Sequence, residues 1–291
     1  MKRTLICTHV MPYEIEMFSH CMAQYKKAFS YLDENDDVTY IATLNLNPEL
    51  TDWESSELNQ EYFIEKFNQL FDGIPNINQI VTDTSLKGTT QQKRECIRLD
   101  FDQFIFCDTD ILFHEMLLKY QLNMSYMVDG MYIISPSLPK WWDASWDVLT
   151  HSKYMDKPYG YALEDAHTMS NAWNQEVEEI VAKELPVVKF GCGMHTLYSK
   201  EFWNFVGIPD SLGGYGPEDT FGMIAANAAR QLGYPIRQFV LDGIYITEDY
   251  LNRTPSFNGK IKSINKKDEF RAIAERNMPE EIQSFVRRIG G

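Results

Sequence analysis

Cysteine is scarce in this chain. Five cysteines (Cys7, Cys21, Cys96, Cys107 and Cys192) are scattered through 291 residues, in odd number and with no C-x-x-C pair. A disulfide framework or a cysteine-based zinc site is thereby excluded as the organising principle, and a reduced, cytoplasmic chain with buried thiols is expected. Long apolar runs are missing too. No stretch approaches the roughly 18–20 apolar residues of a membrane-spanning helix. The apolar segment after Met1-Lys-Arg is too short for a secretion signal and has no small-residue cleavage site. Positive charge is in short supply, with 27 Lys+Arg against 42 Asp+Glu and a net charge of −15. Proteins that bind a duplex usually present a basic face to its phosphates, so composition gives no strong sign of a nucleic-acid partner. Internal repeats and low-complexity linkers are also absent. What is present is a globular composition, 44% hydrophobic and 13% aromatic, sufficient for a large core. One region departs from the acidic balance: from Ser256 onward there are eight Lys/Arg and five acids, net +3 on a body of −18.

The first 110 residues alternate strand and helix signals. Thr4–Val10, Val38–Leu44, Ile77–Thr82 and Phe104–Cys107 read as strands. Between them, Ile15, Phe18, Met22, Tyr25, Phe29 and Leu32 recur at steps of three and four, the spacing of one helix face. Glu61–Phe71 and Thr89–Leu99 also read as helices. Such alternation predicts right-handed βαβ units on a parallel sheet. Beyond this, Tyr126–Ser135, Val187–Phe190, Met194–Tyr198 and Ile236–Ile246 read as strands. Asp143–Thr150, Thr168–Glu184 and Pro217–Leu232 read as helices, and Lys267–Ile289 as a helix broken at Pro279. The acidic stretch Asp33–Asp37 reads as a solvated loop.

The segment FIFCDTDILF, residues 104–113, carries the first chemical signal. In an extended chain side chains alternate, so Asp108 and Asp110 are expected to point the same way. They stand at the carboxyl end of an apolar strand, where open α/β sheets place ligands. Two carboxylates there suit a hard cation, Mn²⁺ or Mg²⁺, that neutralises a diphosphate. Another D-x-D, Asp100-Phe-Asp102, precedes the strand and so lies at the wrong end of the sheet.

Residues 189–223 carry the second signal. They contain Gly191-Cys-Gly193, the strand Met194–Tyr198, a short helix Glu201–Phe205 and Gly214-Tyr-Gly-Pro-Glu-Asp219, which opens a long helix. Together with the acidic strand end, this segment resembles inverting glycosyltransferases of the GT-A fold. In those enzymes a glycine turn, a strand and a Gly-x-Gly-x-Glu-Asp helix start form the acceptor side. The resemblance implies a Rossmann-like, mostly parallel sheet flanked by helices over residues 1–250. Within it, 1–110 is the nucleotide-sugar half and 111–250 the acceptor half, and 251–291 is a C-terminal lid and helical extension. It also implies a nucleotide-sugar donor (a UDP-sugar first, a GDP-sugar next), an acceptor hydroxyl, Asp219 as catalytic base, and Glu218 holding the acceptor or the loop. Glycines beside the base would let the backbone approach a sugar, and Pro217 suits the first turn of a helix.

Other candidates follow from position. Thr8, Pro12 and Tyr13 follow the first strand, where the family seats the nucleotide, and Gly193 joins the donor side. Lys87, Lys93 and Arg94 precede the acidic strand as donor contacts, a solvated helix face being the alternative. Trp141 and Trp142, with Trp146 nearby, offer faces for an acceptor sugar, as Tyr215 and Gly216 do; core packing is the commoner fate of a tryptophan. His195 is either near the donor sugar or a structural histidine. Many relatives place a histidine metal ligand after the last core strand. No histidine follows His195 here, so Glu248 or Asp249 is the candidate third ligand. Competing readings are a sugar-phosphate nucleotidyltransferase, whose glycine-rich loop after the first strand is missing, a non-catalytic carbohydrate-binding protein on the same scaffold, and a glycosyltransferase that modifies nucleic acid.

Overall fold

The structure is a computed structural model that describes residues 1–53, 58–74, 79–138, 140–141, 149, 160–161, 176–185, 193–249, 261–263 and 266–290. In chain order its elements are β1 (Thr4–Val10), α1 (Ile15–Phe29), β2 (Val38–Asn45), β3 (Thr51–Trp53), α2 (Gln60–Gln69), β4 (Gln79–Asp83), α3 (Thr89–Cys96), β5 (Gln103–Cys107), β6 (Ile111–Phe113) and α4 (Leu117–Tyr126). There follow β7 (Tyr132–Ser137), β8 (Lys140–Trp141), β9 (Gly160–Tyr161), β10 (Val181–Leu185), β11 (His195–Ser199), α5 (Lys200–Val206), α6 (Glu218–Gln231), β12 (Arg237–Glu248), β13 (Ile261–Ser263) and α7 (Lys266–Gly290).

One sheet organises the chain, in the order β10-β12-β7-β11-β5-β1-β2-β4, with β6 paired to β12. Strands β4, β2, β1 and β5 run parallel, as do β7 and β12; β11 runs antiparallel between β5 and β7. The expected class, an α/β sheet flanked by helices with a C-terminal helix, is the class observed. Alternation along the strands builds a core on each face. Ile6, Ile105 and Cys107 pack with α1, α2 and α4 on one side. Leu5, Cys7, Phe104 and Phe106 pack with α5, α6 and α7 on the other. All seven residues of β1 are buried because helices cover both faces of the sheet.

Four departures from expectation have local causes. Helix α4 went unrecognised, and the strand after it starts at Tyr132 rather than Tyr126. The inward stripe of α4 includes Gln121 and Ser125, which interrupt the apolar period; the Gln121 amide donates to the carbonyls of Ile134 and His195. The helix expected over Thr168–Glu184 lies partly outside the described residues, and its last part is the edge strand β10, antiparallel to β12 and tied to it by Lys183–Asp242 and Arg237–Glu184 pairs. Helix α7 runs on through Pro279, because Ala274, Met278, Ile282 and Phe285 pack on the core from both sides of the proline. The Asp33–Asp37 stretch is not simply solvated. Asp36 is buried, where it accepts from Lys119 Nζ (2.5 Å) and the Tyr126 hydroxyl (2.9 Å). The expected strand Val187–Phe190, nearly all of the helix Asp143–Thr150 and most of the lid segment 251–262 lie outside the described residues.

Strand β12 bends. Its register on β7 shifts between Leu241 and Tyr245, around Gly243 at φ 99°. A Cβ at Gly243 would stand 2.0 Å from the Glu179 carbonyl oxygen, so only glycine fits. After the bend the strand pairs with β6, and Glu248 lies opposite Ile111.

Candidate functional site

Strands β1 and β5 are parallel neighbours whose carboxyl ends open on the same side. Between β2 and β5 the strand order reverses about β1, the position where open α/β sheets bind ligands. The acids after β5 lie on a turn, not on a continuing strand, so alternation is not what aligns them. Two backbone bonds hold that turn instead. The Asp108 N–H donates to the Met194 carbonyl (2.9 Å), and the Asp249 N–H donates to the Asp110 carbonyl (2.6 Å). Asp108, Asp110, Glu248, Glu218 and Asp219 all line one cavity of about 410 Å³, within the size range of small-ligand sites.

Helix α6 brings Glu218 and Asp219 to this cavity from the other half of the chain. Both oxygens of Glu218 are engaged: one accepts from Lys93 Nζ at 2.5 Å, the other from the Thr90 hydroxyl at 2.7 Å. The Gly216 N–H donates to the Thr90 hydroxyl oxygen (2.9 Å), and the Thr90 N–H to the Gly214 carbonyl (3.0 Å). Asp219 Oδ1 accepts from the Thr220 N–H (2.7 Å). The glycines also serve the close packing of the chain on itself. A Cβ at Gly88 would meet the Gly214 carbonyl oxygen at 2.1 Å, and one at Gly216 would meet Ala274 Cβ at 2.5 Å. Gly193 is different, for it leaves room beside a carboxylate: a Cβ there would lie 2.8 Å from Asp219 Oδ2.

The electrostatics follow from crowding partly buried acids into one cavity. Burial raises the Asp108 pKa to about 8; the Lys93 ammonium offsets this in part, while Asp110, Glu218 and Asp219 add repulsion. Asp219 is raised to about 6 by burial and by Glu218, against the pull of Lys93 and the Thr220 N–H. Burial pulls the Lys93 pKa down, but Glu218, Asp108 and Asp219 outweigh it and hold the pKa well above its ordinary range.

The other candidates divide. Tyr13, Gly193, Tyr215 and Gly216 line the cavity with the acids. Thr8, Pro12, Lys87 and Arg94 are not among its lining residues. The Thr8 hydroxyl bonds the Tyr40 hydroxyl (2.8 Å), and Pro12 opens the 3-10 turn that carries Tyr13. Lys87 pairs with Asp83 (3.1 Å) and Glu95 (2.9 Å). Arg94 donates to the carbonyls of Ile208 (3.0 Å) and Pro209 (2.6 Å), so it braces the loop before α6 instead of facing a ligand. Asp249 turns to His20 (2.8 Å), which leaves Glu248 as the cavity-facing member of that pair. His195 is structural: it is fully buried, bonds the Tyr25 hydroxyl (2.8 Å), and burial lowers its pKa to about 3, so the ring is neutral. Trp141 belongs to β8, but its side chain, like Trp142, Trp146, Gly191 and Cys192, lies outside the described residues. His9, Met11, Glu14, Leu50, Phe270 and Arg271 also line the cavity. His9, near the end of β1, and Met11 stand beside Thr8, Pro12 and Tyr13 in sequence, whereas nothing in the sequence around Leu50 or α7 marks them as cavity residues.

The acids suit a divalent cation in donor type but not as a closed cage. Among the described residues no cluster of three metal-ligating side chains is preassembled. Asp108 and Asp110 offer hard oxygens in a site whose negative charge exceeds what Lys93 balances. Mg²⁺ commonly takes one or two carboxylates and completes its shell with phosphate oxygens and water, and the pair fits that pattern.

No family model and no curated protein matches the chain. Among solved structures, it is similar to glucosyl-3-phosphoglycerate synthase from Mycobacterium tuberculosis in complex with Mn²⁺, UDP and phosphoglyceric acid. Identity is 12%, the match covers 98% of this chain and 78% of that one, and the TM-score is 0.49. The same enzyme with Mn²⁺, UDP and glucosyl-3-phosphoglycerate gives 12%, 98%, 80% and 0.47. A structure described as a mycobacterial protein gives 11%, 98%, 75% and 0.48. Likenesses of this order decide nothing about ligand or reaction, which rest on the site itself. No helix among the described residues is long and apolar enough to cross a membrane.

Proposed function

We propose that this protein is a glycosyltransferase. It moves a sugar from a nucleoside-diphosphate donor, a UDP-sugar in the first instance, to an acceptor hydroxyl with inversion at the anomeric carbon. One observation carries the reading: a single cavity receives the Asp108/Asp110 turn from β5 and the Asp219 carboxylate from the start of α6. In such a transfer the acceptor oxygen bonds the anomeric carbon as the carbon–oxygen bond to the diphosphate breaks. The electron pair of that bond leaves with the nucleoside diphosphate.

Asp219 takes the acceptor proton. A base is most effective when its pKa lies near the working pH, and a carboxylate at about 6 is closer to that condition than an ordinary aspartate. Mn²⁺ or Mg²⁺, when bound, neutralises charge on the departing diphosphate. Asp108 and Asp110 would hold it, with Glu248 as a further carboxylate on the cavity wall. Tyr13 and the neighbouring His9 and Met11 line the side that follows β1, where the nucleotide would lie.

A carbohydrate-binding protein without chemistry has no use for a desolvated base, and donor turnover separates the two readings. The test is a thermal-shift panel of nucleotide-sugars with and without Mn²⁺, followed by assay of nucleoside diphosphate release. A ligand that binds the native state raises the melting temperature. If no nucleoside diphosphate or nucleotide-sugar shifts the melting temperature in the presence of Mn²⁺, the reading is wrong.

A further inference from the structure

Helix α3 is short, yet Thr90, Lys93 and Arg94 on it are all buried. Each of the three spends its polar group on the same stretch of chain, residues 208–218. Thr90 and Lys93 stand three apart, on one face of the helix, and together occupy both oxygens of Glu218. Thr90 also joins the Gly214 carbonyl through its N–H and the Gly216 N–H through its hydroxyl oxygen. Arg94 holds the carbonyls of Ile208 and Pro209. Gly88, just before the helix, lets it approach Gly214 more closely than any side chain would permit.

We propose that Thr90 and Lys93 are positioning residues that act through Glu218 to fix the start of α6, and so aim Asp219 at the acceptor. The proposal rests on the transferase reading above and gives Glu218 a task other than holding the acceptor. A buried Lys–Glu pair contributes little net stability compared with apolar side chains of similar size. Its value here is geometric. Glu218 precedes the base directly, so a fixed Glu218 backbone and side chain limit the directions open to the Asp219 carboxylate. Lys93 Nζ also stands over the Phe106 ring at 5.4 Å, which further restricts the ammonium. Misplacement of a reacting group by about 1 Å can cost up to about a hundredfold in rate, so a small release of this clamp is measurable.

Thr90→Val tests the clamp, because Thr90 is fully buried and is not among the residues that line the cavity. The variant keeps the shape and removes the hydroxyl; Thr90→Ser keeps the hydroxyl. The measurements are UDP affinity with Mn²⁺ by calorimetry, UDP release from UDP-glucose and UDP-galactose, and hydrogen exchange over residues 214–221. For Thr90→Val we expect kcat about ten- to a hundredfold lower, with donor KM and UDP affinity unchanged and faster exchange over 214–221. Thr90→Ser should restore all three. A Thr90→Val protein with natural exchange over 214–221 overturns the proposal, as does one with faster exchange but undiminished kcat. A kcat loss that Ser fails to restore also overturns it. If the natural protein turns over no nucleotide-sugar of the panel, the transferase reading has failed; if Asp219→Asn retains full turnover, the base assignment has failed; in either case the exchange measurement alone judges the clamp. Should Thr90→Val not fold, the charge-free pair Lys93→Met with Glu218→Leu takes its place, with the same expected fall in kcat and rise in exchange.

Discussion

Asp219→Asn is expected to make the protein more stable and far less active. In the folded chain the Asp219 pKa is about 6, against 3.8 for an unperturbed aspartate. The native state therefore holds this proton more tightly than the unfolded chain does. Below about pH 4 both states are protonated and the site costs nothing. As the pH rises from 4 to 6 the unfolded chain releases its proton while the native chain keeps it, so stability falls. Above pH 6 the full cost is present. A difference of about two pK units corresponds to about 3 kcal/mol. Asparagine has no proton to lose and keeps an oxygen to accept the Thr220 N–H, so the cost disappears. For a chain of this length, 3 kcal/mol is a rise in Tm of about 5 °C. Scanning calorimetry at pH 7 and again near pH 4 is the assay: the Asn variant should melt higher at pH 7 and match the natural protein at pH 4. Turnover of the same variant should fall on the order of 10²–10⁴-fold, the usual scale for loss of a general base. Gain of stability with loss of rate is a signature that damage to the fold does not give. Equal Tm values at pH 7, or turnover near the natural rate, would refute the reasoning.

Other outcomes follow from the same geometry. With Mn²⁺ saturating, kcat/KM for the donor should fall about tenfold between pH 7 and pH 5 if the base titrates at about 6; a flat profile there excludes Asp219 as the base. Asp110→Ala should abolish the Mn²⁺-dependent part of UDP binding in calorimetry while leaving the melting temperature within a few degrees, and unchanged affinity would remove the metal assignment. Gly193→Ala, whose Cβ would crowd Asp219 Oδ2 at 2.8 Å, should lower kcat and leave UDP affinity intact, as a rate assay paired with calorimetry will read. Gly88→Ala sets a Cβ 2.1 Å from a backbone oxygen, so a loss of about 1–3 kcal/mol or more is expected in urea unfolding.

Much of the site was legible because its chemistry is written in short spacings. Asp108 and Asp110 follow an apolar strand directly, and Asp219 opens a helix directly after a glycine-rich turn, so local pattern sufficed to single them out. The fold was legible for the same reason wherever strands and helices alternate with a clear period. What stayed hidden depends on pairs far apart in the chain. Nothing near Lys93 reveals that its partner is Glu218, or that Arg94 will spend its guanidinium on carbonyls of residues 208 and 209. A buried arginine and an exposed one look alike in sequence, which is why Arg94 reads as a donor contact. The glycines are a similar case: their pattern signals close approach but does not say to what, and here Gly214 and Gly216 meet Gly88, just before α3, and Phe270 and Ala274 of α7. Helix α4 escaped notice because Gln121, an inward residue, serves carbonyls on two strands instead of packing as a hydrophobe.

The cavity wall that α7 supplies has a consequence for how the protein is made. Phe270 and Arg271 line the same space as His9 and Asp108, and Ala274 fills the gap left by Gly216. During synthesis the ribosome delivers residues in order, so the first strand and the acidic turn are complete long before this helix leaves the exit tunnel. Until then the cavity is open along one side and the glycine loop, held by α3, lacks its contacts with Phe270 and Ala274. A nascent chain halted before α7 should therefore carry its acids without a working site. Binding of a nucleoside diphosphate should appear late and abruptly as the chain lengthens, because closing a site from distant segments rewards none of them alone.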